Sequence, residues 1–368
     1  KVEIHTEKLD MESHEKLAGA KFGLYAARDL LAADGKTVVV RKDTKIAVAE
    51  TKEGITEVQE ALFDVDLPLG TYYIKEEKAP DGYYLSEKTE MVEVEGFEEE
   101  TIQKRYETVF ENRKTILQVN IMDYDTEVEL DGVVFSVQDA DGNVLCRQVS
   151  VHNGNVWIRG LNIGETYHIV ETKARTGYRK QFFEKKDYKS PYKEEGYEKD
   201  GVFFEGKECK IRNCKENQAE VQLAEGESVQ FVSLFNKTDE AVLQIEKRGE
   251  VPRTQIENGK LKQILYMEEG LPGAKYDVFA EEIIQHPDGY SKDLYQAGEK
   301  VAEVITGKDG RATLEKMAFG IYRITETKAP EGYVRAGEKT TQTAELTWSE
   351  QEKTLQSVCF VNERQRPD

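Results

Sequence analysis

Apolar and polar side chains alternate in short stretches along this chain. Val2-Glu3-Ile4-His5, Thr37-Val38-Val39-Val40, Leu117-Gln118-Val119-Asn120-Ile121, Asn155-Val156-Trp157-Ile158 and Val301-Ala302-Glu303-Val304-Ile305 read as strands, most with the two-residue period of one buried face. Turn dipeptides punctuate them at Asp34-Gly35, Asp81-Gly82, Asp141-Gly142, Asn153-Gly154 and Asp309-Gly310. Many short strands separated by regular turns predict an all-β chain of sandwiches or barrels. Tyr25 to Leu31 is the one stretch that reads as one or two helical turns.

One phrase occurs three times. Tyr72-Tyr73-Ile74-Lys75-Glu76-Glu77-Lys78-Ala79-Pro80-Asp81-Gly82-Tyr83 returns as Tyr167-His168-Ile169-Val170-Glu171-Thr172-Lys173-Ala174-Arg175-Thr176-Gly177-Tyr178, and again from Tyr322-Arg323-Ile324-Thr325-Glu326 to Gly332-Tyr333. Leaders Gly19-Ala20-Lys21-Phe22, Gly132-Val133-Val134-Phe135 and Gly273-Ala274-Lys275-Tyr276 precede the copies. Trailers Phe110-Glu111-Asn112, Leu234-Phe235-Asn236 and Phe360-Val361-Asn362 follow them. The copies lie too far apart for a solenoid, so they predict three whole domains in tandem, 1–113, 114–237 and 238–368. Connections as short as Arg113-Lys114-Thr115 and Lys237-Thr238-Asp239-Glu240 suit a semi-rigid rod.

Strand parity brings three polar residues inward. Val2, Ile4, Thr6 and Lys8 share a face, as do Tyr72, Ile74 and Glu76, and Thr108, Phe110 and Asn112. Domain three repeats the set with Leu243, Ile245 and Lys247, then Tyr322, Ile324 and Glu326, then Val358, Phe360 and Asn362. The Glu-to-Asn separation is 36 in both. Two readings are open on the residues alone. One is a buried Lys–Glu salt bridge with Asn hydrogen-bonded beside it. The other is chemical: desolvation moves a proton from Lys to Glu, the neutral amine attacks the Asn side-chain amide, and ammonia leaves.

These motifs resemble the Cna B-type (SpaA-type) domains of Gram-positive pilins and collagen adhesins. The likeness rests on Lys8-Leu9-Asp10, the Gly-Ala-x-Phe strand, the Glu-x-Lys-Ala-Pro-x-Gly-Tyr phrase and the final Phe-x-Asn. It covers essentially the whole chain and is most specific in domains one and three. It implies three tandem β-sandwich domains of prealbumin-like, or reverse immunoglobulin, topology. It also implies isopeptide bonds Lys8–Asn112 and Lys247–Asn362, with Glu76 and Glu326 as proton shuttles.

Domain two departs from the pattern. Counting back from Gly132 as Lys8 stands before Gly19 puts Ile121 in the lysine slot and Asp123 opposite Asp10. Glu171 and Asn236 remain without a nucleophile in register, so no isopeptide is expected there; Lys114 lies too early on its strand. The Glu-to-Asn separation grows to 65 through an insertion at about 180–214. That insertion reads either as a ligand-contacting or domain-docking hairpin or as a decorated surface loop. Domain three carries its own insertion, an extra hairpin or loop at about 251–269.

Composition narrows the function. Asp and Glu outnumber Lys and Arg 71 to 51, a net charge of -20, which argues against binding nucleic acid or an anionic membrane surface. No apolar run approaches a membrane span. The five histidines are scattered, no zinc spacing or phosphate-binding glycine motif appears, and neither metal nor cofactor is expected. Of four cysteines, Cys209 and Cys214 stand close enough in sequence for a disulfide on export, unpaired thiols being the alternative.

The expectation is therefore a non-enzymatic stalk segment of a cell-wall-attached extracellular protein, cut from a longer chain whose targeting signals are out of view. Its partners would be the neighbouring domains. The alternative is an adhesin module that binds a host extracellular protein or glycan through the domain-two insertion.

Overall fold

A computed structural model describes residues 2–96, 104–154, 156–191, 197–199, 202–204, 206–225, 229–335 and 337–366. The chain is nearly all β, with a turn of 3-10 helix at Gly337–Thr340. Each repeat forms its own apolar core, and domain two adds a small separate cluster of Ile116 and Val229.

The three domains share one plan of two facing sheets. In domain one the first strand, Val2–Asp10, lies between Ala61–Val65 and the last strand, Lys104–Asn112. Its burial alternates strictly, with Val2, Ile4, Thr6, Lys8 and Asp10 inward, which is the period-two pattern the sequence carries. The facing sheet runs Lys45–Glu50, Lys21–Ala26, Gly70–Lys78 and Thr89–Val94. First and last strands pair in parallel, so chain entry and chain exit meet side by side.

Domain two repeats the parallel pair with Ile116–Asp123 and Val229–Asn236, and domain three with Ala241–Glu257 and Leu355–Arg364. The register is the same each time. Asn112 stands opposite Asp10, Asn236 opposite Asp123 and Asn362 opposite Gly249.

Tyr25 to Leu31 is not helical. Tyr25 and Ala26 finish the strand Lys21–Ala26, and Leu30–Leu31 pairs with Val38–Val40. Pairing across the sheet, with Leu24 and Ala26 turned into the core, overrides the weak helical propensity of the local run.

Both insertions become strands. In domain two, Gly206–Glu208 adds to one sheet and Lys210–Lys215 to the other, while Tyr197–Lys199 pairs with Val202–Phe204. Residues 192–196, 200–201 and 205 of this insertion lie outside the described residues. In domain three, Ala241–Glu257 and Lys260–Gly270 form a long antiparallel hairpin. Among the described residues no helix is long and apolar enough to cross a membrane.

The disulfide expectation needs correction, because Cys209 and Cys214 are both free thiols. Cys209 precedes the extended strand that carries Cys214, and five residues of strand span about 16 Å, well past the roughly 7 Å between Cα atoms that a disulfide tolerates. The Cys209 thiol instead meets Gln230 Oε1 at 3.4 Å.

Candidate functional site

In domain one the parallel pair presents Lys8 and Asn112 inward on adjacent strands, two positions out of register. Glu76 reaches them from the facing sheet, where Tyr72 and Ile74 point the same way. A register shift between Lys21 and Phe22 sets Glu76 opposite Phe22 and completes the pocket wall. The side chains of Lys8 and Glu76 are fully shielded from solvent, with Lys8 Nζ 2.9 Å from Glu76 Oε1.

Lys8 Nζ also donates to Asn112 Oδ1. Asn112 Nδ2 in turn donates to Glu76 Oε1 and Oε2, at 2.9 and 2.8 Å. Phe22 and Phe110 close the site, their ring centroids 5.0 Å apart and each just under 6 Å from the amine.

Domain three builds the same constellation. Lys247 Nζ lies 3.0 Å from Glu326 Oε1 and donates to Asn362 Oδ1, while Asn362 Nδ2 donates to Glu326 Oε1 at 2.8 Å. Tyr276 and Phe360 replace the two phenylalanines, with centroids 4.8 Å apart.

Burial holds both amines below the ordinary lysine range. Desolvation of Lys8 and of Lys247 outweighs the attraction of Glu76 and Glu326, which acts the other way. The amine is thereby drawn toward the neutral, nucleophilic form while it rests against an amide that a carboxyl group bridges.

Domain two assembles what remains of the set. Ile121 is buried opposite Leu234, in the register that Lys8 takes opposite Phe110. Asn236 Nδ2 donates to Glu171 Oε1 and Oε2 at 3.0 and 2.9 Å, and lies near the carbonyls of Arg179 and Gln181. Asn236 Oδ1, which meets the lysine in the other two domains, has no partner among the described residues. Burial pushes the Glu171 carboxyl up to about 8, opposed by its hydrogen bond to Asn236. Lys114 lies elsewhere and reaches Asp10 Oδ2 of domain one at 3.4 Å.

Asp10 and Tyr83 each stand in a repeated motif, and nothing in the sequence joins the two. Tyr83 Oη donates to Asp10 Oδ2 at 2.7 Å, and Tyr178 Oη donates to Asp123 Oδ2 at the same distance. The recurrence of an Asp in the leader and a Tyr ending the phrase was the available signal. Ser86 N, which donates to Glu76 Oε2 at 2.8 Å, carried no such signal.

Domains two and three also meet at the leader aspartate of domain two, through His286 and Asp288, which no motif marked. Asp123, His286 and Asp288 place ligand-type atoms within 4.8 Å of one another. Both carboxylates are already saturated by donors, from the amides of Asp125, Thr126, Tyr290 and Ser291 and the hydroxyls of Tyr178, Thr126 and Ser291. The group therefore reads as a hydrogen-bonded joint between domains and not as a cation site.

Comparison with known proteins gives one family. The model described as "SpaA: Prealbumin-like fold domain" matches residues 2–108, 115–189 and 236–358. No curated protein matches the chain. Among solved structures, the Bacillus anthracis TIE protein is 19% identical with a TM-score of 0.53. The match covers 98% of this chain and 51% of that one, so this chain spans about half its length. BcpA, the major pilin subunit of Bacillus cereus, is 14% identical over 99% of both chains, with a TM-score of 0.37. The full-length major pilin SpaD of Corynebacterium diphtheriae is 15% identical over 99% of this chain and 97% of that one, with a TM-score of 0.32.

Proposed function

Because this chain belongs to the SpaA prealbumin-like domain family, we propose that it is a non-enzymatic stalk segment of a Gram-positive cell-surface protein, with two of its three domains locked by Lys8–Asn112 and Lys247–Asn362 isopeptide bonds. One observation carries the reading. The same Lys–Glu–Asn contact is built twice, at the same strand register, around an amine whose charge is penalised by burial.

In each site the Nζ lone pair attacks Asn Cγ. The glutamic acid hands a proton to the amide and takes one from the attacking nitrogen. The Cγ–Nδ2 bond breaks, ammonia leaves and a secondary amide remains. Atoms and charge balance without water or cofactor, and the event happens once per site, so nothing turns over.

A crosslink between adjacent parallel first and last strands ties the point where tension enters a domain to the point where it leaves. Pulling force then passes through covalent bonds instead of unzipping strands. Closing a loop of about 100 residues also removes unfolded-state entropy worth about 4–5 kcal/mol, by analogy with a disulfide. Export to the cell surface and attachment to the wall belong to the same proposal.

Intact-mass measurement of the whole chain tests it. The expected mass is that of the sequence less two ammonia molecules, with peptide mapping joining Lys8 to Asn112 and Lys247 to Asn362. An unchanged mass would leave two buried salt bridges and no lock.

A further inference from the structure

The two joints of the chain share a seat and differ in what surrounds it. Each connection runs past the left-handed glycine of the repeated turn, with φ of 80° at Gly82 and 88° at Gly177. The glycine carbonyl accepts the N–H of Thr115 at 2.9 Å in one joint and of Asp239 at 2.8 Å in the other. An added Cβ would meet the Gly160 carbonyl oxygen at 2.7 Å or Pro287 Cβ at 2.8 Å, so the next domain sits directly on each turn.

The joint between domains one and two is held close to the connection itself. Thr115 Oγ1 donates to the Leu161 carbonyl, and Gly160 N donates to Thr115 O at 3.0 Å. Tyr84 Oη accepts the Ile116 N–H at 3.0 Å. Arg159 and Glu12 form an ion pair at 2.7 Å on the surface, of a kind that contributes little in water. A cleft of about 890 Å³ opens between Pro80, Tyr83 and Leu85 of domain one and Ile163, Glu165 and Lys207 of domain two.

The joint between domains two and three is gripped from two further sides. Domain three sends the connection between its strands Lys275–Ala280 and Lys300–Ile305 onto domain two. Pro287 covers Gly177, and its carbonyl accepts Arg175 Nε at 2.8 Å. The buried Asp288 accepts the Thr126 hydroxyl at 3.0 Å, and the ring of Tyr290 stacks on His152 with centroids 3.5 Å apart. Glu350, from another loop, meets Ala174 N at 3.2 Å and Lys180 Nζ at 3.6 Å. The corresponding connection of domain two is a tight turn from Asp139 to Asn143, held within itself by the Asp139 carboxylate.

The second grip comes from the domain-two insertion. Phe183 pairs with Phe235 through N–H···O bonds of 2.8 and 3.0 Å. Its ring and that of Tyr124 cover Lys237, the first residue of the connection, whose Nζ lies 4.6 and 4.0 Å from the two centroids. Just before the insertion, Arg179 N donates to the Lys237 carbonyl at 3.0 Å, and the Arg179 guanidinium reaches Asp239 and Glu240 at 3.3 and 3.5 Å. With Lys237 held at both its ammonium and its carbonyl, the connection keeps few free rotations to absorb a bend.

We propose that the chain bends at one joint: domains two and three move as a single body, and domain one swings on a hinge at Arg113–Thr115. Domains joined by small polar contacts move relative to one another by default. The insertion and the docked loop suppress that motion at the second joint and leave it at the first. The domain-two insertion is thereby an internal clamp. The proposal holds with or without the crosslinks.

Residual dipolar couplings of the whole deuterated chain test this, with an alignment tensor fitted to each domain. Domains two and three should share one tensor in orientation and magnitude, and domain one should show a smaller one. Lys237→Met, Thr126→Val and Tyr290→Ala combined should loosen both grips and give domain three a tensor of its own. Core amide shifts should keep their parent values, which separates a loosened joint from an unfolded domain. Different tensors for domains two and three in the parent overturn the proposal. So does one tensor common to all three domains. A combined variant whose folded domains two and three still align together overturns it too, since the grip would then lie elsewhere.

Discussion

Domains one and two share strand order in the parallel pair, register and the Glu–Asn contact, and differ in what stands one strand away. Lys8 occupies that slot in domain one and Ile121 occupies it in domain two. A single side chain changes the physics of the whole site. With the amine present, the buried carboxyl has the Lys8 nitrogen within hydrogen-bond reach, at 2.9 Å. With isoleucine present, no amine reaches the carboxyl among the described residues, and burial raises it to about 8.

Domain two also gains packing. Phe182 and Cys209 from the insertion join its core, and two inserted strands widen its sheets. Burying Ile121 and Phe182 contributes about 1.5–3 kcal/mol each. Together these match, in order of magnitude, the 4–5 kcal/mol or so that closing the loop would give. On the proposed reading, more core in domain two stands in for the covalent tie of domain one.

The sharpest break of the comparison is to remove the shuttle where the lysine is present. Glu76→Ala should leave Lys8 and Asn112 unlinked and, after allowing for the substitution, raise the intact mass by one ammonia. Domain one should lose at least about 4–5 kcal/mol, read as a lower melting transition. Glu326→Ala should do the same in domain three. Variants that melt with the parent would take the lock out of the account.

The converse change supplies the nucleophile to domain two. Ile121→Lys places an amine facing the partnerless Asn236 Oδ1. Mass spectrometry should find a third ammonia lost, and domain two should gain up to about 5 kcal/mol from the closed loop. An Ile121→Lys chain that lowers the domain-two transition without changing mass would show that the retained Glu–Asn pair is not competent.

A smaller effect follows from the domain-two carboxyl. Glu171 keeps its proton to about pH 8 in the folded domain, against 4.5 when exposed. Between those values the folded form binds the extra proton, so stability falls as pH rises through that window. The fall is on the order of 3–4 kcal/mol. Glu171→Gln, which cannot ionise, should flatten the dependence in urea melts at pH 5 and pH 8. An unaltered slope would place the titration elsewhere.

The mildest perturbation touches a contact shared by domains one and two. Tyr178→Phe removes the hydrogen bond to Asp123 and should cost about 1.5–3 kcal/mol in domain two, visible as a shift in the denaturant midpoint. Tyr83→Phe should cost a similar amount in domain one.

Much of the site was legible because its information is local and periodic. A strand turns every second residue inward, so Lys8, Glu76 and Asn112 could be placed on inward faces by parity, and Ile121 found in the lysine slot by counting. The same logic failed where no period exists. Tyr25 to Leu31 holds a helix-compatible composition, and only pairing with other strands fixed its two ends, Tyr25–Ala26 and Leu30–Leu31, as extended.

The four residues between Cys209 and Cys214 are few enough for a disulfide, but an extended strand draws the two cysteines apart. The insertion in domain two read as hairpin or loop, since an edge strand is defined by the partner it meets and not by its own residues.

The sequence by itself determined that the chain is three repeats of strands and which residue fills each inward position, because side-chain alternation needs no knowledge of the rest of the fold. Only the tertiary structure decided that first and last strands lie side by side in parallel, that Tyr83 and Tyr178 tether the leader aspartates, and that Gly82 and Gly177 meet the next domain. Those facts depend on which distant segments come into contact, and backbone periodicity carries no record of that.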